Sequence, residues 1–193
     1  MLQLLLIRPG ATEYDQQGRI QGTLDIPLSE DGRQQVQALA ESVRELQIAA
    51  LYASPCQSAE QTAELLAEDL QLKAKTVDKL QNLDYGLWQG LLVEEVKTKQ
   101  PKVYRQWQEQ PESVCPPQGE TVVAAKGRVA EALKKLLKRH KGDSAVAIVS
   151  PEPVASMIRH LLLQQELGDF WNATGGCGSL EVIDLEQSPV AAL

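Results

Sequence analysis

The sequence predicts an α/β domain, a three-layer α/β/α sandwich in which helices cover both faces of a mostly parallel central sheet. Two observations carry this prediction. Five short apolar runs alternate with longer amphipathic segments, which is the pattern of strand–helix–strand units. Two of the runs, at residues 2–7 and 145–149, are almost continuously aliphatic, as in central parallel strands buried on both faces.

The apolar runs place the strands, and the amphipathic segments place the helices. The first predicted helix begins after Ser29, a residue type that favours the N-cap, and continues through Val43 and Leu46 at helical spacing. The third of the four helices ends in the basic run KKLLKRHK, which suits the negative end of the helix dipole. The predicted strands cover residues 2–7, 49–53, 75–77, 145–149 and 180–185, and the other helices span about residues 55–70, 121–139 and 153–166.

The length and the net charge of the chain limit the classes of protein to which it can belong. No Pro-, Gly- or Ser-rich stretch divides the 193 residues, so one domain covering residues 1–193 is expected. The formal net charge of −7 argues against nucleic acid or an anionic membrane as a partner. The opening run MLQLLLI is too short for a signal peptide, and no run has the length of a membrane span. A cytoplasmic location is therefore expected.

Cysteine and histidine usage argues against a disulfide framework and against a metal site. Cys56, Cys115 and Cys177 are odd in number, widely spaced and without a CxxC pair, as expected of reduced thiols. The two histidines, His140 and His160, show no ligand spacing. No metal and no cofactor are expected.

Strand ends predict where a ligand binds. In a parallel sheet the crevice lies beyond the carboxyl ends of the strands, so residues 8–10, 54–56 and 150–152 should converge there. A helical insertion at about residues 91–118 carries Tyr104 and Trp107 and is predicted to roof this crevice.

Five motifs in order resemble the landmarks of the histidine phosphatase superfamily, the phosphoglycerate mutase-like proteins. They are RPGAT…GRIQGTLDIPLSEDG, SPCQSAEQTAE, LQNLDYGLWQG, PPQGET and AIVSPEP, and the resemblance runs from residue 2 to about residue 185. It implies the phosphoglycerate mutase-like fold and an ancestry among enzymes that transfer or hydrolyse phosphoryl groups.

At the catalytic positions that the resemblance implies, this chain departs from the family pattern. The histidine that takes the phosphoryl group corresponds to Pro9, and the second histidine corresponds to Pro151. The glutamate that acts as proton donor corresponds to Asn82. Proline has neither a free lone pair nor a proton to give, so a degenerate member without either catalytic histidine is predicted.

The resemblance also implies a remnant of a ligand site. An arginine of the family corresponds to Ser58, and a phosphate-contacting asparagine of the mutase-like branch corresponds to Asp15, so only Arg8 remains. Glu152 follows the second strand end and adds another negative charge. Two interpretations of Arg8 stay open: an internal ion pair with Asp15 or Glu152, or capture of a small carboxylate ligand.

The function predicted from these residues is that of an inactive histidine phosphatase-fold protein, a pseudoenzyme with a binding or regulatory role. The alternative is a phosphatase with weak or rerouted activity on phosphate monoesters. A protein partner, a small-molecule ligand or a second copy of the chain are the partners considered. The prolines themselves have two interpretations: stabilising replacements, with Pro151 at the first position of a helix capped by Ser150, or groups that shape a new ligand site.

Other candidates have structural interpretations that compete with functional ones. Cys56 near a helix N-terminus is either a reactive thiol or, as favoured here, a packing residue. Cys177 in TGGCGS is assigned to a turn into the last strand rather than to a phosphate loop. Asp15 and Asp84 are favoured as surface acids over a magnesium site. Trp88, Trp107 and Trp171 offer a partner-binding face, in which Trp88 is expected in the core and Trp107 on the surface.

Overall fold

A five-stranded sheet forms the middle layer of the protein, whose computed structural model describes residues 2–140, 144–171 and 176–185. The strand order is β3-β2-β4-β1-β5, and only β5 runs antiparallel to its neighbour β1. The strands are β1 (Gln3–Ile7), β2 (Ile48–Ala53), β3 (Ala74–Thr76), β4 (Ala145–Val149) and β5 (Leu180–Asp184). The predicted mostly parallel sheet is confirmed, and each strand lies within one residue of its predicted bounds.

Seven α-helices lie within the described ranges. They are α1 (Glu13–Gln17), α2 (Glu30–Arg44), α3 (Gln57–Leu70), α4 (Val93–Lys99), α5 (Pro101–Glu109), α6 (Val122–Arg139) and α7 (Val154–Leu163). Ser29 caps α2 as predicted, because its side chain accepts from the Gly32 amide. The short helix α1 was not predicted from the sequence. The basic run KKLLKRHK forms the last turns of α6 and continues to Lys141, which lies outside the described residues.

The two faces of the sheet carry separate apolar cores, because successive strand residues point to opposite sides. Leu5 and Ile7 of β1 pack with α2 and α3, whereas Leu4 and Leu6 pack with α6 and α7. All four of these side chains are almost completely buried. This alternation makes the three-layer sandwich, and it anchors the strand that delivers Arg8 and Pro9 at its carboxyl end.

A third core is aromatic and lies beside the insertion. Trp107 of α5 has no exposed surface, and its ring centroid lies 5.6 Å from those of Trp88 and Tyr85 and 6.0 Å from that of Trp171. The surface position predicted for Trp107 is therefore wrong, and so is an exposed face of three tryptophans. The sequence of α5 is amphipathic, but this pattern does not show that a neighbouring aromatic cluster covers its apolar side.

The segment predicted as an insertion contains α4, α5 and a short 3₁₀ turn (Pro111–Ser113). Val93 is the residue of this segment that lines the crevice described below. Among the described residues, no helix combines the length and the apolar character that crossing a bilayer requires.

Candidate functional site

A crevice lies beyond the carboxyl ends of β1, β2 and β4, with a cavity volume of about 80 Å³. Its walls include the apolar and aromatic side chains of Ile20, Tyr85, Phe170 and Trp171. The seven residues to which the resemblance assigned a place in the site all line it: Arg8, Pro9, Asp15, Ser58, Asn82, Pro151 and Glu152. The described lining does not include residues 54–56 or Ser150, which the strand-end rule had also placed there. The role of the lining residues toward a ligand stays a prediction.

The backbone after β1 is fixed by hydrogen bonds on both sides. The Arg8 amide donates to the Ser179 carbonyl at 2.9 Å, and the Pro9 carbonyl accepts from the Gly178 amide at 2.7 Å. The Gly10 amide donates to Thr62 Oγ1 at 3.2 Å. Pro9 lacks an amide hydrogen, so this network loses no donor at that position.

Arg8 pairs with a carboxylate of its own chain. Its Nε lies 2.6 Å from Glu152 Oε1, although the N–H bond is not aimed at that oxygen in hydrogen-bond geometry. The other oxygen, Glu152 Oε2, accepts from the Ser156 amide in the first turn of α7 at 3.1 Å. Of the two interpretations left open by the sequence, the geometry shows the internal ion pair, with Glu152 rather than Asp15 as the partner.

Asp15 is occupied by the start of α1. Its Oδ2 accepts from the Thr12 amide at 2.7 Å and from Thr12 Oγ1 at 2.8 Å, and Thr12 Oγ1 accepts from the Asp15 amide. This reciprocal pattern is a capping box. Its sequence signature, threonine followed three residues later by an acid, was present in the chain and could have predicted α1.

Ser58 and Asn82 are buried at the base of the crevice, 2% and 3% exposed. Asn82 Nδ2 donates to the Gly22 carbonyl at 3.1 Å, and Asn82 Oδ1 accepts from the Leu83 amide at 2.9 Å. Ser58 Oγ lies 3.7 Å from Cys56 Sγ. The amide of Asn82 thus links two loops of the scaffold.

Arg128 of α6 holds the loop that carries Asn82. Its Nε and Nη2 bind both oxygens of Glu120 at 2.8 and 2.7 Å, and Nη2 also donates to the Asn82 carbonyl at 3.1 Å. Nη1 donates to the carbonyls of Lys79 and Gln81. A planar, five-donor guanidinium is needed for this arrangement, because an ammonium group cannot span both sets of acceptors.

The substitution Arg128→Gln should therefore lower the free energy of unfolding by about 2 kcal/mol, since it removes charge-assisted hydrogen bonds from partly buried partners. Urea denaturation followed by circular dichroism measures this change. The matched control is Arg44→Gln, because Arg44 pairs with Asp69 in an exposed position and such pairs contribute about 0–1 kcal/mol. Equal losses in the two variants would contradict the anchoring role of Arg128.

The predicted helix start at Pro151 is wrong. Helix α7 begins at Val154, with Pro153 as its N-cap, and Pro151 and Glu152 lie in the preceding turn. Ser150 does not cap the helix; its Oγ lies 2.8 Å from Ser54 Oγ, and this buried pair links the ends of β4 and β2. The partner of Ser150 is Ser54, which is remote in sequence, so the local sequence around Ser150 could not reveal it.

Sequence reasoning missed Arg19, a second cation of the crevice. Its Nη1 donates to the Gly90 carbonyl at 2.7 Å, and its Nε donates to Gln17 Oε1 at 2.8 Å. Arg19 stands in the quoted motif GRIQG, which could have indicated it. Among the described lining residues, two arginines therefore face two carboxylates, Asp15 and Glu152, and the formal charges cancel.

Neither thiol near the crevice is activated. Burial raises the pKa of Cys177, which lines the crevice, to about 12, and burial also raises the pKa of Cys56. The preferred packing interpretation of Cys56 agrees with its place in the core beneath α2 and α3. Gly176–Ser179 lead directly into β5, as predicted for that turn, whereas Thr174 and Gly175 of the same motif lie outside the described residues. No group of three or more His, Cys, Asp or Glu side chains in the described ranges is arranged to hold a metal ion.

Two of the proteins similar to this chain are phosphoserine phosphatases by name. Phosphoserine phosphatase 1 of Hydrogenobacter thermophilus is 34% identical over 187 residues, which cover 97% of this chain and 88% of the relative. The metal-independent phosphoserine phosphatase of Arabidopsis thaliana is 27% identical over 175 residues, covering 89% of this chain and 74% of that protein.

Solved structures match the fold over nearly its whole length. Mycobacterial glucosyl-3-phosphoglycerate phosphatase in complex with VO3 superposes with a TM-score of 0.84 at 26% identity, covering 94% of this chain and 92% of the other. YhfR of Bacillus stearothermophilus gives a TM-score of 0.86 at 25% identity, covering 97% and 93%. The family model of the histidine phosphatase superfamily (branch 1) matches residues 4–192. The chain belongs to the histidine phosphatase superfamily.

Proposed function

We propose that this member of the superfamily does not hydrolyse phosphate esters and has a binding or regulatory role instead. One observation carries the proposal: neither of the two histidines of the chain is among the described residues that line the crevice. His140 Nε2 lies 2.9 Å from the hydroxyl of Tyr52, and His160 Nδ1 lies 2.5 Å from the Gln165 carbonyl, both outside the crevice lining.

The chemistry of phosphate-ester hydrolysis supports the proposal. The uncatalysed reaction is so slow that accelerations of up to about 10²¹-fold are needed. They require a nucleophile, an acid for the leaving oxygen and cations around the transferring group. At the strand ends, Pro9 and Pro151 offer neither a nucleophile nor a proton, and the Asn82 amide is a poor acid. In another enzyme, loss of the nucleophile alone cost on the order of 10⁶ in turnover.

Rerouted chemistry through another side chain is the alternative, and the named phosphatase relatives are what favours it. Cys177 is one nucleophilic residue of the lining, but burial raises its pKa to about 12, so that it is the unreactive thiol at neutral pH. Burial likewise raises the pKa of Tyr85. Ser58 has no base beside it among the described contacts; its hydroxyl lies next to the sulfur of Cys56.

The balance of charge supports a role other than phosphate binding. Arg8 and Arg19 face Asp15 and Glu152, so a phosphate dianion meets no net positive charge among the described lining residues. Like charges about 4 Å apart repel by roughly 4 kcal/mol near a protein surface. We propose that the partner is a protein or a small molecule that is not a phosphate ester, and a second copy of the chain is included among the protein partners.

Steady-state turnover of phosphoserine tests the proposal, because relatives of this chain are named for that substrate. The purified protein should release phosphate no faster than a heat-denatured sample. The Hydrogenobacter relative, assayed in parallel, serves as the positive control. Phosphoserine turnover by the purified protein would contradict the proposal. Turnover that is lost in Arg8→Ala would favour the rerouted phosphatase, and turnover that survives Arg8→Ala would place the chemistry outside this crevice.

A further inference from the structure

The carboxylate of Glu152 lies between a guanidinium and a helix N-terminus. Its Oε1 lies 2.6 Å from Arg8 Nε, and its Oε2 accepts from the Ser156 amide at 3.1 Å. The Glu152 side chain is 10% exposed, so it is held inside the crevice rather than at its rim. One oxygen faces a guanidinium and the other faces the N-terminus of a ten-residue helix, α7.

An arginine beside a helix N-terminus forms an anion site for a general physical reason. The free amides of the first helical turn and the helix dipole favour negative charge, and a guanidinium adds a full positive charge with directed donors. Both elements are present at the end of β4 and β1, and both are in contact with Glu152. One oxygen of the carboxylate lies against the guanidinium charge without a directed hydrogen bond from Arg8 Nε, and the other accepts a helix amide. Two oxygens of a phosphate or sulfate would lie at the same two places.

We propose that Glu152 is an intramolecular oxyanion that fills a latent anion site formed by Arg8 and the start of α7. The crevice is thereby closed to phosphate-class ligands by its own chain. The proposal deepens the proposed function, on which it rests for the premise that no covalent chemistry competes with binding. The role assigned to Glu152 is to exclude oxyanions from the crevice. The absence of histidines from the described lining would by itself prevent catalysis but would not prevent an oxyanion from binding.

Packing around Arg8 keeps the latent site in shape. A side chain at Gly176 would place its Cβ 2.4 Å from Arg8 Nη1, so the glycine backbone approaches the guanidinium closely. The Arg8 amide is also tied to Ser179. Because these contacts do not involve Glu152, the guanidinium should stay near its present position when the carboxylate is removed.

The test compares sulfate and vanadate binding, by isothermal titration calorimetry and thermal shift at constant ionic strength, in wild type and variants of the full chain. Wild type should show no binding at millimolar anion. Glu152→Ala should bind sulfate with a dissociation constant roughly tenfold or more below the upper concentration at which wild type shows no binding, and its melting temperature should rise with the anion. Glu152→Gln, which keeps the side-chain volume but removes the charge, should give an intermediate affinity and decides the matter if Glu152→Ala does not fold.

Two further variants control for net charge and for the donor. Glu181 lies in β5, with its Oε2 3.8 Å from Arg159 Nη1. The variant Glu181→Gln removes one negative charge there and should bind anions no better than wild type. The double variant Arg8→Ala/Glu152→Ala should lose the gained affinity. A gain in Glu181→Gln equal to that in Glu152→Gln would reduce the effect to net charge and overturn the proposal.

Failure of this proposal is distinguishable from failure of the proposed function. Wild type that binds sulfate as tightly as Glu152→Ala overturns the internal oxyanion, even when phosphoserine turnover is absent. A folded Glu152→Ala variant that binds neither anion also overturns it. Phosphoserine turnover by wild type, by contrast, overturns the proposed function whatever the anion affinities of the variants.

Discussion

Trp107→Ala should destabilise the protein by about 3–5 kcal/mol, the cost of removing a large aromatic side chain from a well-packed core. Trp107 has no exposed surface and contacts the rings of Trp88, Tyr85 and Phe170. Domains of this kind are stable by about 5–15 kcal/mol, so the loss is a large fraction of the total. Urea denaturation followed by far-ultraviolet circular dichroism measures it without relying on tryptophan fluorescence.

The matched control for that variant is Leu87→Ala. Leu87 is 59% exposed, so its truncation should change the free energy of unfolding by less than about 0.5 kcal/mol. Tyr85 and Phe170 contact Trp107 and also line the crevice, so Trp107→Ala should loosen one wall of the site. A loss below about 1 kcal/mol for Trp107→Ala would show that the cluster repacks and does not hold α5 in place.

Restoring the family residues and removing the carboxylate of Glu152 should raise phosphate-ester hydrolysis by several orders of magnitude from a background without detectable turnover. In another enzyme, loss of the nucleophile alone cost on the order of 10⁶, and nucleophile, acid and cations act as one unit. Partial sets should therefore fail. The five substitutions are Pro9→His, Asp15→Asn, Ser58→Arg, Asn82→Glu and Pro151→His.

The structure adds a sixth substitution to this prediction. While Glu152 pairs with Arg8, the five-fold variant should bind vanadate only weakly, and the addition of Glu152→Ala should expose the guanidinium. Vanadate affinity, measured by titration calorimetry, should thus rise before any turnover appears. A six-fold variant that folds, as judged by circular dichroism, yet binds no vanadate would contradict the placement of these residues around one anion site.

The sheet was predictable from the sequence because its signals are local. Buried strands such as β4 are continuous apolar runs, and α2 and α6 show helical spacing with Ser29 and Thr121 as caps. The rule that parallel strands end at one edge predicted that residues 8–10, 54–56 and 150–152 converge, and it placed residues 8–10, Pro151 and Glu152 correctly in the lining of the crevice, but not residues 54–56. These inferences need only periodicity and connectivity.

Contacts between distant segments were not predictable in the same way. The burial of Trp107 depends on Trp88 and Trp171, which are remote in sequence. Both nearby acids accept hydrogen bonds from a helix start, Asp15 in the capping box of α1 and Glu152 from the Ser156 amide, and it is Glu152 whose second oxygen faces the guanidinium of Arg8. Sequence spacing alone does not rank the two acids as partners of Arg8.

A single-turnover experiment tests the central claim, that the crevice performs no phosphoryl transfer, most directly. Phosphoserine is incubated with a stoichiometric amount of the protein and followed by phosphorus NMR, so that trace contaminants have little weight. We expect an unchanged phosphoserine resonance and no phosphoenzyme signal, under conditions in which the Hydrogenobacter relative releases inorganic phosphate. Release of one equivalent of phosphate by wild type, absent in Arg8→Ala, would contradict the central claim.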